Sequence, residues 1–322
     1  MKLLASPASL KGVLSPNKAA AMIAAGMRRV HGVEAIEAPV ADGGEGTAEV
    51  IHAMLGGEWM TAVVSDPLGR GIAARWLLLD DGTAVVESSA ALGLPLLRHE
   101  ERDPLRASSR GLGELLLATL AVRPTSLLVG VGGTATVDGG VGMRAVVGSW
   151  LRNIPIRVAC DVRNPLLGER GAARAFGPQK GAAAGDIEEL EERLVALEEL
   201  APYRNLPGAG AGGGLGAAFA ALGGELVEGA ELVLDLTRFD ERAQDAALVV
   251  TGEGTVDATT YEGKAPGAVL RRCRALGVRC ELFGGIVTAG FDAHALSGRR
   301  ELAAEDLVQL GEELALGRSL RS

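Results

Sequence analysis

The stretch VEAIEAPVADGGEGT, residues 33–47, decides how the rest of the chain reads. A strand-like run from Val33 to Val40 stops at Asp42-Gly43-Gly44-Glu45-Gly46-Thr47, and a helical pattern follows to about Leu55. Upstream, Lys2 to Ala5 reads as a short strand. Ser15-Pro16 reads as an N-cap and first helical residue, after which Ala19, Met22, Ile23 and Met27 recur at helical spacing. Strand, helix, strand, helix is the opening of a doubly wound sheet, in which ligands bind beyond the carboxyl ends of the strands.

The grammar then changes. Trp59 to Ser65, Ala73 to Leu79 and Thr83 to Ser88 are closely spaced strand-like runs with turns at Pro67, Gly69 and Asp80-Asp81-Gly82, which predicts hairpins and a domain boundary near residue 58. Helix and strand alternate again from Gly111. Leu127 to Val131 enters Gly132-Gly133-Thr134-Ala135-Thr136 ahead of an expected helix, and Ile156 to Ala159 ends at Asp161. Asp186 with Glu189 reads as a capping box opening a helix with Ile187, Leu190, Leu194 and Leu197 on one face. Leu248 to Val250 runs into a Thr251-Gly252-Glu253-Gly254 loop. A helix from about Ala265 to Leu276 precedes a strand at Val278 to Phe283, and the chain reads as an exposed helix from about Ala303.

With 322 residues and 48% hydrophobic content, the chain supports two domains or one large one. Aromatics are only 3%, so the core is built from small and branched aliphatics, which suits helices packed on a parallel sheet. The formal charge is -9, and no basic cluster exceeds Arg271, Arg272 and Arg274, which argues against nucleic acid. A phosphate site must then be built locally, from a few cations, a metal and backbone N–H groups. Cys160, Cys273 and Cys280 are too few and too scattered for a disulfide framework or a zinc site. Met1 to Leu4 is too short for a signal peptide and no apolar run is long enough to span a membrane, so a cytoplasmic location is expected.

Candidate chemistry gathers where strands end. Asp42 and Glu45, Asp138, Asp161, and Glu253 with Asp257 are placed to be collected by one cleft. Carboxylates there can orient an attacking hydroxyl or hold Mg²⁺, although Asp42 and Asp161 also suit turn and cap roles. The glycines flanking Glu253 suggest close backbone approach. Gly130 to Gly133 is readable as a phosphate cradle or as a tight turn. Lys11, Lys180 and Lys264 each touch glycine and could contact phosphate or lie exposed on turns. Gly208, Gly210 and Gly213 satisfy GxGxxG spacing, but no strand precedes them, which argues against a nicotinamide site; GxxxxGK[ST] is absent.

Eight segments in order carry a resemblance: SLKGVLSP (9–16), PVADGGEGT (39–47), DPLG (66–69), DPLRASSRGLGEL (103–115), GVGGTATVDGGVGM (130–143), VACDVRNPLLGERGAARAFGPQKGA (158–182), PGAGAGGGLGA (207–217) and VVTGEGTVDATTYEGKAPGAV (249–269). The chain resembles the bacterial glycerate kinases of the two-domain type without a P-loop. The resemblance implies phosphorylation of D-glycerate by ATP with Mg²⁺. It also implies a doubly wound Rossmann-like (flavodoxin-like) domain, residues 1–58 and 245–322, plus a second α/β domain with a mixed sheet, 59–244, and a cleft between the two.

It points at Lys11, Asp42, Asp161, Lys180, Glu253, Asp257 and Lys264. Asp161 or Asp42 would orient the hydroxyl. Glu253 and Asp257 would hold Mg²⁺ or nucleotide, and Gly132, Gly133, Thr134 and Gly254 would join the nucleotide site. The three lysines would contact phosphate, and Arg106 with Ser108 and Ser109 would hold the glycerate carboxylate. A homodimer is compatible with this reading. Ala8, Val137, Arg163 and Thr255 depart from the family pattern, and the segment between Gly148 and Ile156 is short. Those departures leave open a binding paralogue with weak turnover, or a kinase for a related small hydroxy acid.

Overall fold

The structure, a computed structural model, describes residues 1–261 and 264–317. Its strands, in chain order, are β1 (Lys2–Ala5), β2 (Glu34–Glu37), β3 (Glu58–Ser65), β4 (Gly71–Leu78), β5 (Thr83–Glu87), β6 (Ser126–Gly130), β7 (Ile156–Cys160), β8 (Glu225–Glu228), β9 (Leu248–Val256), β10 (Cys280–Val287) and β11 (His294–Ala295). The chain forms two compact units. One holds Met1–Asp42, Glu49–Met54 and the residues from Ala230 onward, and the other holds Gly43–Ala48 and Leu55–Gly229.

The first unit is a parallel sheet of order β11-β10-β9-β1-β2. Counted within the unit that order is 5-4-3-1-2, the flavodoxin-like arrangement, whose switch point lies between its first and third strands, here β1 and β9. Successive residues of a strand face opposite ways, and both faces are covered. Leu3, Ala5, Leu248 and Val250 pack under the helices Pro16–Met27 and Ala303–Ala315, whereas Leu4 and Val249 pack under Gly229–Leu236, Phe239–Ala243 and Ala265–Leu276. The first helix starts as its sequence predicts, with Ser15 Oγ accepting from the Lys18 amide and proline in its first turn.

Three expectations are corrected. The second boundary lies at 229/230, not 244/245, because Ala230, Leu234, Phe239 and Ala243 share a core with Leu4, Val249 and Val269. The last helix is not an exposed appendage. Leu307 and Leu310 are fully buried, and the helix lies backbone to backbone on Pro16–Met27 at two glycines. A Cβ on Gly26 would sit 1.9 Å from the Val308 carbonyl oxygen, and one on Gly311 would sit 2.1 Å from that of Ile23. Finally, the helix Ala184–Val195 opens two residues before Asp186, whose carboxylate reaches back to the Ala183 amide at 2.8 Å.

The second unit is a mixed sheet of order β3-β4-β5-β6-β7-β8. Its first three strands pair antiparallel and the rest parallel. The β3–β4 hairpin turns at Asp66-Pro67-Leu68-Gly69, where the buried Asp66 carboxylate accepts from the Leu68 and Arg70 amides at 2.8 and 2.9 Å. Among the described residues no helix is long and apolar enough to cross a membrane.

Adding side-chain bulk at the helix contact should be costly. Gly26→Val is expected to destabilise the first unit by about 3 kcal/mol, since overpacking cannot be relieved where backbone meets backbone. Denaturant unfolding of the variant against the parent checks this, with Gly185→Ala, a helical position with ordinary φ and open space, as the mild control.

Candidate functional site

In the first unit a cavity of about 230 Å³ lies past the end of β1 and against the carboxyl-end halves of β9 and β10. The switch point of the strand order falls at the same place. Its lining draws on segments far apart in sequence: Ser9 to Lys11, Glu253 to Thr255, Lys264, Gly285 and Ile286, and Leu296 to Asp306 in part.

Glu253 and Thr255 stand on a strand and not in a loop, which corrects the expectation of a turn after Val250. β10 continues to pair with β9 through Ile286↔Thr255 and Val287↔Val256, so the ladder carries these residues into the cavity wall. Gly252 permits that pairing, because a Cβ there would sit 2.3 Å from the Phe283 carbonyl oxygen. At Gly254 the nearest atom would be the Lys11 backbone nitrogen at 3.5 Å, an ordinary contact.

Lys264 caps the helix Ala265–Leu276 and holds two carboxylates. Its Nζ lies 3.3 Å from Glu253 Oε2 and 3.8 Å from Asp257 Oδ1. The Thr260 hydroxyl donates to Glu253 Oε1 at 2.8 Å. Burial pushes the Glu253 carboxyl above its usual value, against the downward pull of Thr260 and Lys264. The hydroxyl of Thr259 holds Asp257 below the usual carboxylate range, and Lys264 adds to that. Gly263, which precedes Lys264 in the quoted motif, lies outside the described residues. Asp42 belongs to this unit but does not line the cavity.

In the second unit, the carboxyl ends of β6 and β7 meet the Gly43–Ala48 segment. Gly43, at φ 91°, presses on Ala159, where a Cβ would come within 2.6 Å of the alanine methyl. Gly130 and Gly132 back onto Gly43 and Gly44 as closely. The glycine-rich loop after β6 is therefore packed on the DGGEGT segment, and Asp161 leaves β7 beside it. The helix expected straight after Gly133 begins only at Val141. Asp138 controls that delay: its carboxylate accepts from the amides of Gly140, Gly142 and Ser109 and from the Ser109 hydroxyl at 2.7 Å. Ser109 Oγ in turn accepts from the Met143 amide, so the buried Ser109 is spent on holding this loop. Ser108 Oγ accepts from the Arg110 amide, while Arg106 is exposed.

Lys180 is only 3% exposed. Its ammonium donates to Thr136 O at 2.8 Å and to Thr134 Oγ1 at 3.2 Å, bracing the loop that carries Gly132 and Gly133. Burial pushes this amine down to about 7, with the Asp138 charge opposing the shift. Cys160 is no nucleophile, since burial and the neighbouring Asp161 push its thiol up to about 12.

The glycerate kinase family model matches residues 3–151 and 147–305. The chain belongs to the glycerate kinase family. It is 40% identical over 305 residues to the glycerate 2-kinase of Escherichia coli, spanning 83% of this chain and 80% of the relative. It is 37% identical over 360 residues to a glycerate kinase of Halalkalibacterium halodurans, spanning 99% and 94%. A crystal structure of a Salmonella typhimurium protein provisionally assigned as glycerate kinase 2 superposes with a TM-score of 0.86 at 32% identity, covering 98% of each chain.

The glycerate kinase family match breaks at 147–151, which both matched segments contain. There the helix Val141–Val147 ends at Gly148 and a single turn, Trp150–Asn153, leads directly into β7. The departures noted in the sequence fall in different settings. Ala8 packs against the first unit's core and Val137 is buried with Leu166 and Leu190. Arg163 is exposed and pairs with Glu228 at 3.6 Å, and Thr255 lines the cavity. Sequence reasoning missed Arg299 and Arg300, which line the same cavity from a stretch without any of the quoted motifs.

The sign of the Lys180 shift gives a pH prediction. Between about pH 7 and pH 10.5 the unfolded chain carries a proton on this amine that the folded chain lacks. Stability therefore rises with pH across that window, and below it the cost of burying the charge is constant. Lys180→Met should remove this component, so the melting-temperature gap between parent and variant is expected to change by a few degrees (~3 °C) in the parent's favour from pH 7 to pH 9. Thermal melts of both proteins across that range check it.

Proposed function

We propose that the chain transfers the γ-phosphoryl group of ATP to the 2-hydroxyl of D-glycerate. Membership of the glycerate kinase family makes it a phosphotransferase with an alcohol acceptor and ATP as donor. The choice of carbon 2 follows the Escherichia coli relative, which is named a glycerate 2-kinase. The observation that carries the reading is the cavity at the switch point of the first unit, where Lys11, Glu253 and Lys264 converge. This cavity would take the nucleotide.

Phosphoryl transfer needs little covalent help from protein; positioning and charge stabilisation dominate. Lys11 and Lys264 would bear on phosphate oxygens, and Glu253 and Asp257 keep the Lys264 ammonium oriented. In the second unit, Arg106 and Ser108 would bind the glycerate carboxylate. Asp161, at the end of β7 and beside the glycine loops, would accept the proton of the attacking hydroxyl. Lys180 acts one step back, holding Thr134 and Thr136 in place.

Mg²⁺ belongs to the same proposal. Among the described residues no cluster of three or more His, Cys, Asp or Glu forms a metal cage. Glu253 and Asp257 nonetheless offer the hard oxygen donors this ion takes, and it is commonly held by one or two carboxylates together with substrate phosphates. The residues fit that mode, in which the ion would offset phosphate charge.

ADP release should depend on D-glycerate, and phosphorus NMR of the product should show the 2-phospho ester; the 3-phospho ester would overturn the regiochemistry. Asp161→Asn is expected to lower kcat by roughly 10²-fold or more with little change in the KM for glycerate, as loss of a general base does. Unchanged turnover would remove Asp161 from the role. Steady-state kinetics with glycerate and related C3 and C4 hydroxy acids measure both the role and the substrate class.

A further inference from the structure

We infer that Arg299 and Arg300 form an anion clamp for the polyphosphate of the bound nucleotide, an inference that rests on the nucleotide occupying the first unit's cavity. Both arginines line that cavity together with Lys11. Among the described residues none of these three side chains has an ion pair or hydrogen-bonded partner, although the chain as a whole is acidic at -9. Several other arginines of the unit are neutralised: Arg28 by Glu37, Arg29 by Glu312, Arg279 by Glu281, and Arg272 by Glu231, Asp235 and Asp240. At the cavity, three unpaired cations share one concave wall, which can focus their field.

The lining holds four cations, Lys11, Lys264, Arg299 and Arg300, against two carboxylates, so positive charge remains in excess. Glu253 is engaged by Lys264 and Thr260. Asp306 Oδ2 accepts from the Ser297 hydroxyl at 2.6 Å and from the Ser297 amide at 3.1 Å. That pair of bonds pins the loop bearing the arginines onto the helix Ala303–Ala315, and Gly298 turns at φ 74° to let the chain pass. Ser297 Oγ also accepts from the Arg299 amide at 3.3 Å. The loop is therefore held before any ligand arrives, which lowers the entropy cost of gripping an anion. Guanidinium groups suit phosphate oxygens because two N–H donors meet two acceptors in one plane. Leu10, Val13 and Leu296 supply an apolar wall beside them, so the site offers a nucleoside surface as well as charge.

The test is calorimetric titration of ADP, tripolyphosphate and adenosine into the full-length protein and into an Arg299→Ala/Arg300→Ala variant, with steady-state kinetics on both. The clamp predicts at least a tenfold loss of affinity for ADP and tripolyphosphate, unchanged adenosine binding, and a matching rise in the KM for ATP but not for D-glycerate. Arg299→Lys/Arg300→Lys should recover part of the loss, and added salt should weaken ADP binding to the parent more than to the alanine variant. ADP affinity within twofold of the parent overturns the inference. So does a rise in the KM for glycerate alone, which would put the acid or its phosphorylated product at these arginines. If ADP binding falls in the variant but the parent does not phosphorylate glycerate, the clamp stands and the proposed reaction falls.

Discussion

The parallel pairing of β9 between β1 and β10 is the constraint on which the first unit's cavity depends. A strand held on both sides cannot shift register without exchanging buried and exposed faces along its whole length. Leu248, Val249 and Val250 are fixed by the cores on the two faces, and that fixes Glu253 and Thr255 at the rim. Gly252 is the point where the ladder would otherwise fail, because the neighbouring strand's Phe283 backbone leaves no room for a Cβ. Lys264 then arrives at the start of the next helix and meets Glu253 and Asp257. Burial raises the pKa of Glu253, and a hydroxyl and a cation placed on either side of it oppose that shift.

The second unit solves a different problem. Its loops at the ends of β6 and β7 are rich in glycine and would be floppy if left alone. They are stiffened by a half-buried carboxylate and a buried amine. Asp138 gathers four donors and ties the loop to Ser109. Lys180 enters from the Pro178–Lys180 turn and clamps Thr134 and the Thr136 carbonyl. Burying an amine this deeply costs stability at neutral pH, and the cost is tolerated because the ammonium satisfies carbonyl and hydroxyl acceptors that would otherwise be stranded. Support of this kind limits how far a glycine-rich loop can move.

Much of this was legible from residues alone. The opening strand–helix–strand–helix and the hairpin region with its turn at Pro67 and Gly69 follow from local patterns, and the ordered motifs pointed to the family and, through it, at Lys11, Glu253 and Lys264. The errors cluster where a distant partner overrides a local preference. Thr251 to Val256 looks like a glycine loop until β10 pairs with it. Ser109 looks like a substrate contact until Asp138 claims its hydroxyl and amide. The last helix looks solvent-exposed until two glycines, 285 residues apart in the chain, bring it onto the first helix.

The sequence by itself determined the class of architecture, the places where strands give way to glycine and acid, and the family. Hydrophobic periodicity, caps and turn residues are interactions within a few positions of each other, so they can be read in order. Only the tertiary structure decided which charges stand unpaired at the cavity, which glycines separate touching backbones, and which lysine is buried. Each of those depends on what the opposite wall supplies, and the opposite wall comes from segments hundreds of residues away, whose approach is set by strand order and core packing.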